Sequence, residues 1–329
     1  MDNIDQIFNR FTGLKLGVIG DVMLDSYIWG SVERISPEAP VPVVSMHHRE
    51  QRIGGAGNVA LNVASLGAHA FVLSVMGKDD EGHKLKKLLD DQQINTTYLV
   101  QSPQRITTNK VRVISRNQQM MRLDAEQTND LDKALQQQLL QQVEKFIQKE
   151  KPNIIIFEDY NKGVLTEPLI GQVIKLCKTN KILSAADPKR KNFFAYKQVD
   201  IYKPNLKEVK EGLNLIFDEA DQNLLKKIHA ALHKKLSHTI SLITLSEQGI
   251  FYHDLDGEAI IPSHMRSISD VSGAGDTVIA VASLVYAVTK NAHLMAEVAN
   301  IAGGLVCEQV GTVAIDKHRL QQECELLLS

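Results

Sequence analysis

Cysteine is scarce: Cys177, Cys307 and Cys324 are the three in 329 residues, and they stand too far apart for metal-ligand or disulfide-like spacing. A zinc module and a stapled secreted domain are set aside, and reduced thiols are expected. Charge excess is lacking too. The formal net charge is −2 and no basic block of tail length occurs, so neither nucleic acid nor an anionic membrane is expected as a partner. No apolar run approaches bilayer-spanning length, and Met1-Asp-Asn-Ile-Asp lacks the basic start and apolar core of a signal peptide. A soluble cytoplasmic protein is the expectation. Two nucleotide-binding signatures are also missing. Gly20-Asp-Val-Met23 lacks the second and third glycines of the dinucleotide fingerprint, and the P-loop lysine motif is absent.

What is present is 43% hydrophobic content, enough for a large core in one sizeable α/β domain or two smaller ones. Short β-branched runs alternate with helical patterns, which predicts a mainly parallel sheet covered by helices on both faces. The expected strands are Leu14–Ile19, Phe71–Met76, Asn153–Phe157, Ile182–Ala185, Ile201–Tyr202 and Thr239–Leu245. The expected helices are Gly57–Leu66, Leu131–Gln148, Leu224–Leu236, Ala274–Ala287 and Met295–Glu308. Two extended, proline-bearing or alternating stretches, about 22–50 and 97–124, break this rhythm. Inserted extended segments can pair into a small extra sheet that closes over a site or meets a second subunit, so they are read as a β lid.

The most informative stretch is Asp270-Val-Ser-Gly-Ala-Gly-Asp-Thr277, followed by the apolar run Val278–Tyr286. Gly273, Ala274 and Gly275 leave backbone N–H groups uncrowded at a helix start, where the dipole favours phosphate oxygens. Asp276 beside them is poorly suited to bind phosphate and well suited to accept the proton of an attacking hydroxyl. A glycine-rich turn with an N-terminal Asp cap would read the same way.

Other polar groups fall at strand ends, where α/β sheets bind ligands. Asp21 and Asp25 follow the first strand and could grip sugar hydroxyls or cap a turn. Gly54-Gly-Ala-Gly-Asn58 enters a helix and admits close approach of a ligand, or is a tight loop. Lys203-Pro-Asn-Leu-Lys-Glu208 places Asn205 and Glu208 to face phosphates and Mg²⁺, with a simple helix cap as the alternative. Leu242–Gly249 ends a strand in small polar residues suited to a nucleotide or to a hairpin turn. Glu158-Asp-Tyr-Asn-Lys-Gly163 and Ala186-Asp-Pro-Lys189 bring basic groups to two central strand ends.

The early Gly54–Asn58 segment paired with the late Asp270–Thr277 segment resembles the ribokinase-like (PfkB) family of sugar kinases. Within it, Gly20–Asp25, Arg34-Ile-Ser-Pro-Glu-Ala-Pro-Val-Pro-Val-Val44, Arg116-Asn-Gln-Gln119 and Arg122-Leu-Asp124 are similar to the D-glycero-β-D-manno-heptose 7-phosphate kinases. The resemblance runs from about Leu14 to Thr312. It implies a three-layer α/β/α domain over residues 1–329 with a small β lid, and a homodimer formed through that lid. It further implies that ATP and Mg²⁺ are used to phosphorylate the anomeric hydroxyl of the heptose phosphate, in the supply of ADP-heptose for lipopolysaccharide.

By the same resemblance Asp276 is the catalytic base and the Gly273, Ala274 and Gly275 amides the anion hole. Asn205 and Glu208 organise Mg²⁺ and phosphates, while Thr244, Ser246, Gly249 and Asn300 lie on the nucleotide side. Asp21, Asp25, Gly55 and Asn58 contact the sugar. Asp270 and Ser272 match a loop that holds a monovalent cation, K⁺, in many relatives. For the substrate's phosphate the available cations include Arg34, Lys110, Arg112, Arg122, Lys162 and Lys189, with Arg116 favoured among lid residues for its bidentate fork.

Three positions depart from the heptose kinase pattern: Ser26 stands where Arg is frequent, and Glu158 and Lys203 stand where small residues are usual. No His-x-Gly-His motif follows Gly311. The expectation is a stand-alone kinase or a separated half that makes the 1,7-bisphosphate without activating it further. A sugar-phosphate sensor that keeps the fold without catalysis is the reading from another class, and it would have no need of Asp276, Asn205 and Glu208.

Overall fold

The computed structural model describes residues 3–116, 118–217 and 219–328. Eight strands form the central sheet, in the order Glu258–Ile261, Ile250–His253, Ile240–Thr244, Ile201–Tyr202, Leu183–Asp187, Ile154–Glu158, Lys15–Gly20, His69–Leu73. Every pairing is parallel except the two made by Ile250–His253. In Ile154–Glu158, residues Ile154 and Ile156 enter one core and Ile155 and Phe157 the other, as the twofold alternation of a strand requires. Helices therefore cover both faces. Ala56–Ser65, Ala274–Thr289 and Ala292–Val306 pack on one side, and Lys133–Glu150, Glu167–Thr179 and Gln222–Leu236 on the other.

Local chemistry explains the elements. The glutamine-rich helix Lys133–Glu150 starts where Asp132 accepts the Leu135 N–H, and it buries Leu135, Leu139, Val143, Phe146 and Ile147 at helical spacing. The expected strand Phe71–Met76 is instead broken at Ser74. Its hydroxyl donates to the Gly20 carbonyl at 2.6 Å, and Val75–Gly77 leaves the main sheet to pair with Val100–Ser102. The antiparallel strands Ile250–His253 and Glu258–Ile261 extend the sheet beyond what periodicity foretold, joined by the turn at Asp254–Gly257.

A second sheet of four strands has the order Pro42–Gly55, Val22–Ile35, Thr108–Ser115, Gln118–Ala125. Its middle pair is parallel, with Met23 opposite Thr108 and Gly30 opposite Ser115. Of the later extended stretch only Thr108 onward joins it, because Val100–Ser102 is taken by Val75–Gly77. Strand Lys15–Gly20 reaches this sheet through the single residue Asp21, and Pro42–Gly55 passes directly into helix Ala56–Ser65. No helix among the described residues is long and apolar enough to cross a membrane.

At the far edge of the main sheet the rings of His229 and His253 stack 3.7 Å apart, and the Ser241 hydroxyl lies 2.9 Å from His229 Nδ1 and 2.6 Å from His238 Nε2. Burial, then the neighbouring imidazoles, push His229 down to about 4 and His238 down to about 3. The folded chain thus refuses protons that the unfolded chain takes up below about 6.5, so this cluster costs stability as pH falls toward 4. Buried acids with raised pKa act in the opposite sense, so the difference between variants is the useful readout. Urea midpoints measured from pH 7 to pH 5 should fall more steeply for the wild type than for His238→Asn; parallel curves would contradict this account.

Candidate active site

Asp276 sits in the first turn of helix Ala274–Thr289 and is 3% exposed. The helix cap is Gly273, at φ 80°, and no side chain caps the helix. Glycine is required there twice over, since a Cβ would strain the backbone and stand 2.8 Å from Asn58 Nδ2. Of the expected anion hole, the Ala274 N–H points to the Val271 carbonyl at 3.3 Å. The Asp cap reading is not what forms. The Asp276 carboxylate instead accepts Asn58 Nδ2 on Oδ2 and the Tyr160 hydroxyl on Oδ1, both at 2.8 Å.

Asn58 reaches it from helix Ala56–Ser65, one turn before Asn62, whose Oδ1 accepts the Thr277 hydroxyl and the Ile315 N–H. Two asparagines at i, i+4 on an otherwise apolar helix were the signal for this contact. Gly55 precedes the helix at φ 59°, where a Cβ would lie 2.3 Å from the Asp21 carbonyl. Burial raises Asp276 to about 6, offset in part by the hydrogen bonds from Asn58 and Tyr160.

Asp21 is 1% exposed and spends its carboxylate on backbone: Tyr160 N–H at 2.8 Å and Lys162 N–H at 3.0 Å on Oδ2, Val164 N–H at 3.1 Å on Oδ1. Burial, then Asp159, raises it to about 6. It anchors the loop after strand Ile154–Glu158. Asp25 accepts Arg112 Nη1 at 2.5 Å, and Ser26 bonds Asn109 at 2.8 Å. Among the cations, Lys110 and Lys189 stand over the Tyr160 ring, 5.2 and 5.6 Å from its centroid. Lys162 pairs with Glu126 at 2.8 Å. Arg116 is not brought to this cleft. It sits exposed at the hairpin turn, past Ser115 opposite Gly30, about 20 Å of strand from Lys110 opposite Asp25.

Asn205 and Glu208 form a full capping box: Asn205 Oδ1 accepts the Glu208 N–H and Glu208 Oε2 accepts the Asn205 N–H, both at 2.8 Å. The other Glu208 oxygen pairs with Lys189 at 2.8 Å, and Lys189 also meets Asp187 at 3.1 Å. The cap and the cleft therefore use the same residues. Asp187 ends its strand holding buried Lys203 as well, at 2.8 Å. Burial alone would lower Lys189, and Asp187 and Glu208 raise it. Glu158, fully buried beside Asp187 and Asp276, is raised well above the usual carboxylate range, by burial first and then by those two acids. Oxygens of Glu158, Asp187 and Asp276 lie within 4.8 Å of one another, a donor set that fits a hard divalent cation.

The remaining expected residues line the adjacent strand end and loops. Thr244 ends its strand, bridged to Asn205. Ser246, at φ 58°, and Gly249, at φ 98°, make the tight turn into Ile250–His253. Asn300 donates to the Pro262 carbonyl at 2.8 Å. Asp270 Oδ1 accepts the Ser272 N–H and hydroxyl, and Oδ2 accepts the Gly311 N–H. Burial would raise Asp270, yet these bonds hold it below the usual range. The sequence reading quoted the segments holding Tyr160 and Asp187 without singling out either. An aromatic two residues beyond one strand and an acid at the last position of the next carry no motif, and their place beside Asp276 exists only once the strands are adjacent.

The family model of the pfkB family carbohydrate kinases matches residues 14–318. The chain is 40% identical over 295 residues to the bifunctional protein HldE of Aliarcobacter butzleri, covering 90% of this chain and 61% of that one. To the HldE of Methylobacillus flagellatus it is 40% identical over 312 residues, 94% of this chain and 62% of the relative. It thus spans about three fifths of the curated relatives it matches. Phosphofructokinase-2 from Escherichia coli, solved in complex with potassium, superposes with a TM-score of 0.77 at 18% identity, over 96% of this chain and 99% of that one. Arabidopsis thaliana ribokinase, complexed with ribose and ATP, gives 0.72 at 16%, over 94% and 99%. At such identities the two structures speak to the fold alone.

Carbon-13 NMR of the carboxyl groups should show two aspartates titrating near pH 6, Asp21 and Asp276, of which one is lost in Asp276→Asn and moves upward in Tyr160→Phe, because the hydroxyl stabilises the charged form. An unmoved titration would detach Tyr160 from Asp276.

Proposed function

Because the chain belongs to the pfkB family of carbohydrate kinases, and so to the sugar phosphotransferases, we propose that its reaction is transfer of the ATP γ-phosphoryl group to the anomeric hydroxyl of D-glycero-D-manno-heptose 7-phosphate, the β anomer favoured. The observation that carries the chemistry is Asp276, buried, raised to about 6 and located by Asn58 and Tyr160 at an uncapped helix start. Above pH 6 it is ionised. It accepts the hydroxyl proton as the sugar oxygen forms its bond to phosphorus and the bond to the ADP oxygen breaks. The Gly273–Gly275 amides and the helix dipole steady charge on the phosphoryl oxygens.

Mg²⁺ would be held by the carboxylates of this cleft, Glu208 through water, and would neutralise charge on the nucleotide phosphates. Asn205, Glu208, Thr244, Ser246, Gly249 and Asn300 are assigned to the nucleotide side, and Asp270 and Ser272 to K⁺. Asp25, Gly55 and Asn58 face the sugar, with Asp21 fixing the loop beside it, and Lys110, which stands over the Tyr160 ring, is the cation assigned to the substrate's phosphate. Support for the heptose comes from the Arg34–Val44 segment and from relatives named HldE. The four-stranded sheet is the proposed lid and dimer surface of a single domain over 1–329, supported by exposed Ile35, Met46, Met121 and Leu123.

ADP release with ATP and Mg²⁺ should be strong on heptose 7-phosphate, weak on fructose 6-phosphate, ribose and adenosine, and reduced by roughly 10²- to 10⁴-fold in Asp276→Asn. Turnover on another sugar would overturn the heptose assignment, and sugar-phosphate binding without any turnover would favour a sensor.

A further inference from the structure

We infer that Glu158, Asp187 and Asp276 form a site for one hard divalent cation, of the Mg²⁺ or Mn²⁺ class, that fills without nucleotide. One carboxylate oxygen from each residue lies within 4.8 Å of the other two. Oxygens held about 2.1 Å from such an ion stand roughly 3 to 4 Å apart, so little movement closes the shell. An all-oxygen donor set disfavours zinc and copper.

Acidic clusters are common without ions, and the second observation is Glu158 itself. It is fully buried, and neither of its oxygens has a hydrogen-bond partner among the described residues. Its neighbours differ. Asp21 holds three amides, Asp276 holds Asn58 and Tyr160, Asp187 holds two lysines, and Glu208 holds an amide and Lys189. Burying a bare carboxylate is costly unless something compensates it.

The three ligands also sit on rigid supports. Glu158 and Asp187 are register partners at the ends of adjacent parallel strands, and Asp276 is in the first turn of a helix packed against both. The cation needs one Asp187 oxygen. The other can keep Lys203, and Lys189 retains Glu208 at 2.8 Å.

The site shares Asp276 with the phosphotransfer reading but does not rest on it, and the test separates the two. Mn²⁺ is titrated into the full chain without nucleotide or sugar, read by electron paramagnetic resonance and calorimetry, with Mg²⁺ as competitor. One Mn²⁺ per chain is expected, displaced by Mg²⁺, with affinity at least about tenfold weaker in Glu158→Gln; circular dichroism confirms that the variant is folded, and Asp187→Asn replaces it if it is not. No Mn²⁺ bound at millimolar concentration, or equal affinity in the variant, overturns the site. Sugar turnover is assayed on the same samples: turnover without Mn²⁺ binding removes only the cation site, and Mn²⁺ binding without turnover on any sugar removes only the kinase reading.

Discussion

The buried Asp21 carboxylate is the constraint on which the cleft depends. Three amides of the loop after strand Ile154–Glu158 converge on it, at 2.8, 3.0 and 3.1 Å. Charge-assisted bonds to backbone are strong where water is excluded, and here they fix the backbone from which Tyr160 reaches Asp276. Lys110 and Lys189 then gather around the Tyr160 ring. A residue at the end of the first strand thus sets the position of a carboxylate some 250 positions later, through one loop.

Glu158 and Lys203, two of the three positions at which the sequence departs from the pattern it resembles, are both buried and both lie against Asp187. Lys203 bonds Asp187, whereas Glu158, raised well above the usual carboxylate range by burial and by Asp187 and Asp276, has no hydrogen-bond partner among the described residues. Removing Lys203 alone would take one cation from the buried Asp187, a costly change in low dielectric.

How much was legible follows from how local each signal was. The parallel strands announced themselves as β-branched runs, and the helix at Ala274 by its glycines and long apolar sequel, so the α/β layers and the seat of Asp276 could be read directly. Ser74 could not, because the bond that breaks its strand goes to Gly20, 54 positions away. Arg116 looked attractive for its guanidinium, but strand register puts Lys110 and Arg112 opposite Asp25 and Tyr27 and carries Arg116 past the cleft. Glu158 and Lys203 were visible as oddities and intelligible only together. The capping box at Asn205 and Glu208 shows the converse: the helix cap forms in full, and Glu208 still turns its other oxygen to Lys189 in the cleft.

The small sheet is spliced into the cleft without slack. One of its strands begins one residue after the main sheet's first strand ends, and its neighbour runs straight into the helix bearing Asn58. Neither junction has a loop to absorb rotation. Any tilt of that sheet is therefore levered into the Asp21 anchor at one joint and into the Asn58–Asp276 bond at the other, so the sheet works as a handle on the carboxylate and not as a freely swinging cover.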